Sequence, residues 1–155
     1  MRDTPRPEFE LDAFMPYLLN QAAEHVSLGF AATYKAEYGL TRTQWRVMAN
    51  LGRFGAMSAV EICRISHIEK TRVSRAVGVL ERDGYLTRTR ASDDRRREDL
   101  ALTEAGRAVF AALCARGQAY QAEMAARIGP QNFAALEQGL RALIVAYGET
   151  VATDD

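Results

Sequence analysis

Apolar residues recur three or four positions apart at both ends of the chain, which predicts long amphipathic helices there. The first helix is predicted over residues 10–37 and ends near Gly39. Its apolar stripe consists of Leu11, Phe14, Met15, Leu18, Ala22, Val26 and Phe30. At the other end, Thr103 caps a helix that runs to about Ile128, and Pro130 begins a last helix. That helix carries the stripe Phe133, Leu136, Leu140, Leu143, Ile144 and Tyr147.

Three shorter helices are predicted between these ends, each from its own start or stop signal. Thr41 with Gln44 three residues later forms a capping-box pattern, which begins one helix. Ser58 and Glu61 repeat the pattern and begin a second, short helix. A third helix is predicted over residues 69–83, where a glycine follows it.

Two extended segments, residues 85–90 and 98–102, flank a polar tip and predict a β-hairpin. The order of helix, short helix, helix and hairpin is that of a winged helix-turn-helix. The expected fold is therefore mostly α with a small β-hairpin wing. We expect residues 1–40 to form an N-terminal dimerisation helix, residues 41–102 the winged helix-turn-helix, and residues 103–155 the C-terminal dimerisation helices, all within one domain.

Composition favours one compact, soluble domain in a reducing compartment. The chain has 155 residues, of which 48% are hydrophobic and 26% charged. Its two cysteines, Cys63 and Cys114, lack the spacing of a zinc site or disulfide framework. The first twelve residues lack the apolar core of a secretion signal, and no apolar run is long enough for a bilayer span. We therefore expect a cytoplasmic protein without membrane contact.

The formal net charge of zero conceals an uneven distribution. Residues 42–97 hold thirteen Lys or Arg and six acidic residues, a net charge of +7, so the rest of the chain carries −7. A basic middle between acidic ends indicates that one module contacts a polyanion. The alternative for this charge run alone is a solvated surface.

The sequence offers no catalytic constellation. His25 and His67 lie on different predicted elements, and the common hydrolase, nucleotide-binding and zinc-protease motifs are missing. Asp93 and Asp94 are adjacent on the hairpin tip, where both are expected to be solvated. We expect neither an enzyme nor a metal or cofactor.

The predicted helix over residues 69–83 has an apolar face and a polar, basic face. Val73, Ala76, Val77 and Leu80 fall within one arc and are predicted to face a core. The other side suits the DNA major groove, where arginine can bind guanine through two hydrogen bonds. The alternative for this helix alone is an ordinary surface helix whose arginines serve solubility. The predicted DNA contacts on this helix are Lys70, Thr71, Arg72, Ser74 and Arg75, with Gly78 allowing close approach.

The hairpin adds a second cluster of cations. Arg88, Arg90, Arg95, Arg96 and Arg97 flank or occupy its tip. Arginine on a narrow loop suits the minor groove because its planar, weakly hydrated head enters there more readily than lysine. An arginine-rich genome would explain the same preference.

Four segments together resemble the MarR family of bacterial winged-helix regulators. They are LTRTQWRVMANL (40–51), VSRAVGVLERDGYL (73–86), the Asp94-x-Arg96 wing and LTEAG (102–106). The resemblance implies a homodimeric DNA-binding repressor, or occasionally an activator, often released by a small aromatic or phenolic ligand or by oxidation. It also implies that Arg96 is the wing arginine at the minor groove and that Asp94 orients the wing.

Dimerisation follows independently from the long flanking helices, whose apolar faces exceed what a small basic domain can cover. The expected interface joins the start of the first helix to the last two helices. It includes Phe9, Leu11, Phe14, Val109, Leu113, Leu140, Leu143, Ile144 and Tyr147. Packing of these stripes within one chain is the alternative.

An effector site is expected where the dimerisation helices meet the winged region. Tyr17, His25, Trp45, Arg46 and Met48 form an aromatic and cationic set suited to a small aromatic carboxylate. Each residue could instead belong to the core or to a salt bridge. Peroxide-sensing members often carry a cysteine near the start of the first helix, where this chain has Met15 and Tyr17, so oxidation sensing is disfavoured.

The sequence thus predicts a homodimeric repressor that binds double-stranded DNA at a pseudo-palindromic operator and is released by a small aromatic or phenolic ligand. The alternative is a winged-helix module that docks an acidic protein without operator binding.

Overall fold

The computed structural model describes residues 9–90, 93, 94 and 96–148. The chain divides into two compact units, the first ending at Ala112 and the second beginning at Leu113. Within the described residues, a 3₁₀ turn (Leu11–Ala13) precedes six helices and three strands. These are α1 (Met15–Tyr38), α2 (Arg42–Phe54), β1 (Met57–Ser58), α3 (Ala59–Ser66), α4 (Lys70–Arg82), β2 (Leu86–Arg90), β3 (Glu98–Leu102), α5 (Glu104–Ile128) and α6 (Pro130–Gly148).

The three strands form one antiparallel sheet in the order β1-β3-β2. Leu86 of β2 pairs with Leu102 of β3, and Arg90 pairs with Glu98, which confirms the predicted hairpin. β1 adds an unpredicted third strand, in which Met57 pairs with Leu100. Two residues are too few to show strand periodicity in sequence. The winged helix-turn-helix fold is confirmed.

The core of the first unit holds the helix-turn-helix and the sheet together. It is built from apolar side chains of α2, α3, α4 and the strands, each contributing about 1.5–3 kcal/mol when fully buried. Its members include Val47, Met48, Leu51, Ile62, Val73, Val77, Leu80, Leu86 and Leu100. Because this core takes one face of α4, the opposite face of α4 is left to solvent.

Both predicted capping boxes form. Gln44 N donates to Thr41 Oγ1 at 3.3 Å, and Thr41 N donates to Gln44 Oε1 at 2.9 Å. Ser58 and Glu61 make the same reciprocal pair at the start of α3. Each box satisfies two N–H groups that a helix terminus leaves without partners.

The prediction of one continuous first helix from residue 10 was wrong at its start. A 3₁₀ turn ends before Phe14, whose backbone is extended, and α1 begins afresh at Met15. Pro16, in the first turn of α1, has no N–H to continue a helix from the preceding residues. The predicted end is confirmed, since Gly39 caps α1 in the left-handed conformation with φ 65°.

The long helices leave many apolar side chains exposed. In the 3₁₀ turn and α1, and in the residues just before them, these are Phe9, Leu11, Phe14, Met15, Leu18, Val26 and Leu28. In α6, which lies wholly in the second unit, they are Leu136, Leu140, Ile144, Val145 and Tyr147. Val109 and Leu113 were expected at a dimer interface, and this was wrong, because both are already buried within the single chain.

None of the described helices is long and apolar enough to cross a membrane.

Candidate nucleic-acid interface

Helix α4 presents a polar and basic face to solvent. Val73, Ala76, Val77 and Leu80 on its other face are buried, as predicted. The residues proposed as DNA contacts are all exposed, and they are Lys70, Thr71, Arg72, Ser74 and Arg75. Gly78 is exposed, and a Cβ added to it would meet no atom within 4 Å. The backbone of α4 is therefore open to close approach at this position.

A groove of about 450 Å³ lies between the start of α2 and α4. Its polar lining includes Thr41, Arg42, Thr43, Arg72 and Arg75. Arg42 Nη1 lies 2.7 Å from Glu24 Oε2, so its charge is balanced. Within the described part of the chain, no carboxylate pairs with Arg72 or Arg75. Two unpaired guanidinium groups beside hydroxyl groups suit phosphate oxygens.

Two of the predicted wing arginines bind acidic side chains of the same unit. Arg88 lies 2.8 Å from Glu81 of α4 and 3.0 Å from Glu98 of β3. The hydrogen bonds that Arg88 donates to Glu81 and Glu98 raise the pKa of its guanidinium. This residue therefore ties the end of α4 to both strands of the hairpin.

Arg97 is held within the hairpin in the same way. Its Nε lies 3.2 Å from Asp99 Oδ1, and its Nη2 lies 3.7 Å from Asp93 Oδ1. Asp99, the largest influence, and Asp93 raise the pKa of Arg97. These two ion pairs stabilise the base of the wing. They also balance the charge of Arg97, which is then less available to a ligand.

The tip of the wing is organised by Asp94. Its Oδ1 accepts a 2.9 Å hydrogen bond from Arg96 N, and its main-chain oxygen accepts one of 3.0 Å from Arg97 N. Among the described residues, no carboxylate pairs with the side chains of Arg96 or Arg90. Both line a groove of about 650 Å³ against the start of α3. Arg95, also predicted to contact DNA, lies outside the described residues.

A separate cavity of about 400 Å³ lies between α1 and α2, and we call it the α1–α2 cavity. It is lined by Ala23, Ser27, Phe30, Tyr34, Arg42, Trp45 and Arg46. The rings of Tyr34 and Trp45 stack with centroids 5.9 Å apart, and Phe30 meets Trp45 edge to face at 5.8 Å. A volume of this size with an aromatic wall and a cationic edge fits a small aromatic molecule.

The electrostatics of the α1–α2 cavity favour an anion. Burial, followed by the positive charge of Arg42, lowers the pKa of Arg46. Burial raises the pKa of Tyr34 although both arginines oppose this, so its phenol stays neutral. Arg46 donates to the main-chain oxygen of Ser66, which carries no net charge. A carboxylate in the cavity would therefore meet a cation that lacks an anionic partner in the described structure.

Comparison with known proteins agrees with this geometry. Residues 38–97, from the end of α1 into the wing, match the sequence model of the MarR family. The winged helix-turn-helix part of the chain is therefore similar in sequence to the MarR family. No curated protein matches it significantly in sequence.

Solved structures of MarR-family and related regulators match nearly the whole chain. A MarR-family transcriptional regulator from Silicibacter pomeroyi DSS-3 is 28% identical with a TM-score of 0.78, covering 90% of this chain and 98% of that one. A probable transcriptional regulator from Pseudomonas aeruginosa is 27% identical with a TM-score of 0.71, covering 87% and 100%. NadR in complex with 4-hydroxyphenylacetate is 22% identical with a TM-score of 0.74, covering 89% and 97%, and shares the fold. The first two of these proteins are described as transcriptional regulators.

The predicted ligand residues are only partly brought together. Trp45 and Arg46 line the α1–α2 cavity, whereas Tyr17 and His25 do not. Met48 is fully buried in the core of the first unit. His25 lies two residues from both Ala23 and Ser27, which is about 200° around a helix, so it faces away from that wall.

Sequence reasoning missed Phe30, Tyr34 and Arg42 as cavity residues. The signal was present in their spacing, because Phe30 and Tyr34 are four residues apart on α1 and share a face. Arg42 and Arg46 have the same spacing on α2. The missing information was which turn of α1 packs against α2.

Proposed function

We propose that the protein is a homodimeric transcriptional repressor that binds a pseudo-palindromic operator in double-stranded DNA and is released by a small aromatic ligand. The observation that carries this is the exposed face of α4, on which Arg72 and Arg75 lack carboxylate partners in the described structure. A helix with this face enters the major groove in winged helix-turn-helix proteins. Residues 41–102 form the DNA-binding region in this proposal.

The arginines divide into two groups by their partners. Arg88 and Arg97 have carboxylates beside them and set the shape and angle of the wing. Arg96 at the wing tip is the minor-groove contact, supported by its exposed position beside Asp94. The ion pairs would have to break for Arg88 or Arg97 to bind phosphate, so they are weaker candidates than Arg96.

The dimer is supported by the exposed apolar side chains of the two long flanking regions, residues 1–40 and 103–155. In α6, the side chains of Ile144 and Val145 are 70% and 76% exposed. Apolar surface on this scale is unfavourable in a monomer and is covered at low cost by a second copy. A twofold dimer would present two copies of α4 to half-sites about 34 Å apart.

The effector is proposed to bind in the α1–α2 cavity. Support comes from its aromatic wall, its two arginines and the precedent of NadR, a protein of the same fold solved with 4-hydroxyphenylacetate. Trp45 is the single tryptophan of the chain and lies in this wall, so its fluorescence reports occupancy directly.

Selection of DNA fragments by the purified protein tests the function. The expected result is a recovered palindrome whose affinity falls with salt at a slope of about −5 to −9 in log–log form. 4-Hydroxyphenylacetate should quench Trp45 and weaken binding to the recovered operator. Recovery of no sequence, with binding to an acidic protein instead, would overturn the regulator and favour the protein-docking alternative.

A further inference from the structure

Arg46 takes part in two regions of the molecule at once. Its side chain lines the α1–α2 cavity beside Trp45. Its Nη2 also donates a hydrogen bond to the main-chain oxygen of Ser66, the last residue of α3. The cavity is thereby joined through one side chain to the turn of the helix-turn-helix.

The Ser66 carbonyl lies directly before a residue with an uncommon backbone conformation. His67 follows in the left-handed conformation with φ 52°, which is uncommon for a residue with a side chain. Residues 67–69 alone join α3 to α4, and Glu69 makes no side-chain capping bond at the start of α4. The main-chain oxygen that Arg46 contacts therefore lies directly before the turn that leads into α4.

The charge of Arg46 is poorly matched by its present acceptor. Within the described residues its acceptor is the neutral carbonyl of Ser66, whereas Arg42 pairs with Glu24. Burial and the charge of Arg42 disfavour the cationic form of Arg46. A carboxylate adds Coulombic attraction that a neutral carbonyl lacks, so an anion in the cavity competes effectively for this guanidinium.

We propose that Arg46 is the positioning residue that couples the cavity to the recognition helix. A small aromatic carboxylate in the cavity takes the guanidinium of Arg46 from the Ser66 carbonyl and thereby loosens the turn between α3 and α4. This rests on the effector release proposed above, and it adds the charge of the ligand and the route of its effect. Each of the two donor pairs of a guanidinium includes one N–H of Nη2, so a carboxylate that binds through the pair now used by Ser66 displaces that carbonyl.

The coupling has a thermodynamic basis. A ligand shifts a conformational equilibrium only by the difference between its affinities for the two states. The bond between Arg46 and Ser66 supplies that difference when the ligand takes the N–H group that now bonds Ser66. By the same linkage, operator binding that requires the ordered turn disfavours the ligand.

The first arm of the test uses no ligand. Arg46→Gln removes the charged link to Ser66, and Glu24→Gln is the matched control, because it unpairs Arg42 but leaves that link intact. Hydrogen exchange of the amides of residues 66–70 should be faster in Arg46→Gln than in the wild type and unchanged in Glu24→Gln. Operator affinity of Arg46→Gln should fall about tenfold, the usual effect of losing one hydrogen bond to a charged group.

The second arm titrates Trp45 fluorescence with benzoate and with its neutral isostere benzamide. Wild type and Glu24→Gln should bind benzoate and not benzamide, and benzoate should increase exchange at residues 66–70. Arg46→Lys keeps one donor for Ser66 but loses the paired donors. It should therefore retain operator binding while binding benzoate about tenfold more weakly. A residue with a merely structural role would not separate these two effects.

The outcomes distinguish the coupling from the function on which it rests. If no anionic probe quenches Trp45 but Arg46→Gln still exchanges faster at residues 66–70, the effector site is wrong and the link to the turn is supported. Exchange and operator affinity unchanged in a folded Arg46→Gln would overturn the coupling, even if benzoate binds. Faster exchange throughout the first unit in both Arg46→Gln and Arg46→Lys would also overturn it, because it would show general destabilisation.

Discussion

The main-chain N–H of Arg96 donates a 2.9 Å hydrogen bond to Oδ1 of Asp94, so Asp94 fixes the backbone two residues later at the wing tip. A short polar side chain that accepts from the backbone two residues later is a common way to order a tight turn. The arginine proposed for the minor groove is therefore presented by a preorganised loop.

We expect Asp94→Ala and Arg96→Ala each to weaken operator binding by about 1–2 kcal/mol, because one removes the order of the tip and the other the cation. The double variant should lose less than the sum, since Asp94 acts through Arg96. Asp93→Ala is the control for removing a carboxylate near the tip, because among the described residues Asp93 contacts the wing through a long, exposed ion pair of 3.7 Å with Arg97 and not through the backbone of Arg96. Electrophoretic mobility shift titrations measure the operator affinity of all four variants. If the losses of the two single variants add up in the double variant, Asp94 does not act through Arg96.

Recognition helix and wing should differ in the kind of specificity they confer. Arg75→Ala is expected to cost about 1–3 kcal/mol on the operator and to relax one base position per half-site. Arg96→Ala should instead weaken all central variants alike and change the response to A·T content in the flanks. Arg82→Ala serves as the control, since Arg82 ends α4 and pairs with Asp83 at 3.5 Å.

A panel of single-base operator variants reads out this difference. If Arg96→Ala relaxed a central base and Arg75→Ala changed only the flanks, the placement of helix and wing would be reversed. A loss in Arg82→Ala equal to that in Arg75→Ala would show that α4 contributes only general charge.

Local signals predicted the framework of the fold, whereas contacts between distant residues were beyond the sequence. The capping box of Thr41 and Gln44 spans four consecutive residues, so it can be recognised from the sequence alone. The pairing of Arg88 with Glu81 and Glu98 depends on how α4 meets the hairpin. Sequence reasoning therefore counted Arg88 among the DNA contacts without its partners.

The α1–α2 cavity shows the same limit. Helical spacing gives which residues of α1 share a face, but not which turn of α1 meets α2. His25 was chosen for its chemistry and lies on another face, whereas Phe30 and Tyr34 lie on the face that meets Trp45. The hydrogen bond from Arg46 to the main-chain oxygen of Ser66 cannot be predicted from residue types, because every residue carries such an oxygen.

Gly106 and Gly52 should not tolerate a methyl group. A Cβ on Gly106 would lie 2.0 Å from the main-chain oxygen of Tyr85, which pairs with Thr103 N and cannot easily move. Gly106→Ala should therefore lower the free energy of unfolding by about 1–3 kcal/mol or more. Gly52→Ala should cost less, because the obstructing ring of Phe110 is a side chain.

Gly139→Ala is the matched control for these variants. Gly139 lies inside α6 and would meet no atom within 4 Å, so alanine should stabilise the helix by about 0.5–1 kcal/mol. Urea unfolding measures all three changes. Equal behaviour of Gly106→Ala and Gly139→Ala would show that the approach of α5 to Tyr85 is looser than described.

The proposed dimer should depend on α6. Ile144→Asp places a charge on a side chain that is 70% exposed in the single chain, and it should shift the protein towards monomer at micromolar concentration. Val60→Asp is the control, since Val60 is 69% exposed but lies on α3. Light scattering measures both masses. A dimeric Ile144→Asp with a monomeric Val60→Asp would move the interface from α6 to α3.

Because of Glu61, the free energy of unfolding of the wild type should depend on pH in the acidic range. Hydrogen bonds from Ser58 N at 2.7 Å and Ser58 Oγ at 2.9 Å hold the pKa of Glu61 below its ordinary value of 4.5. Because the folded-state pKa is the lower one, the carboxylate stabilises the fold above about pH 4.5, and this contribution is lost as pH falls through the folded value.

Glu61→Ala should therefore be less stable than the wild type near neutral pH by about 0.5–1 kcal/mol, a modest value because the side chain is exposed. The difference should shrink as the pH is lowered through the folded pKa. Gln44→Ala removes the corresponding residue of the uncharged box at Thr41, so its effect should not vary with pH over the same range. Urea unfolding at a series of pH values measures both. A constant deficit in Glu61→Ala would mean that Glu61 acts through packing, not through its charge.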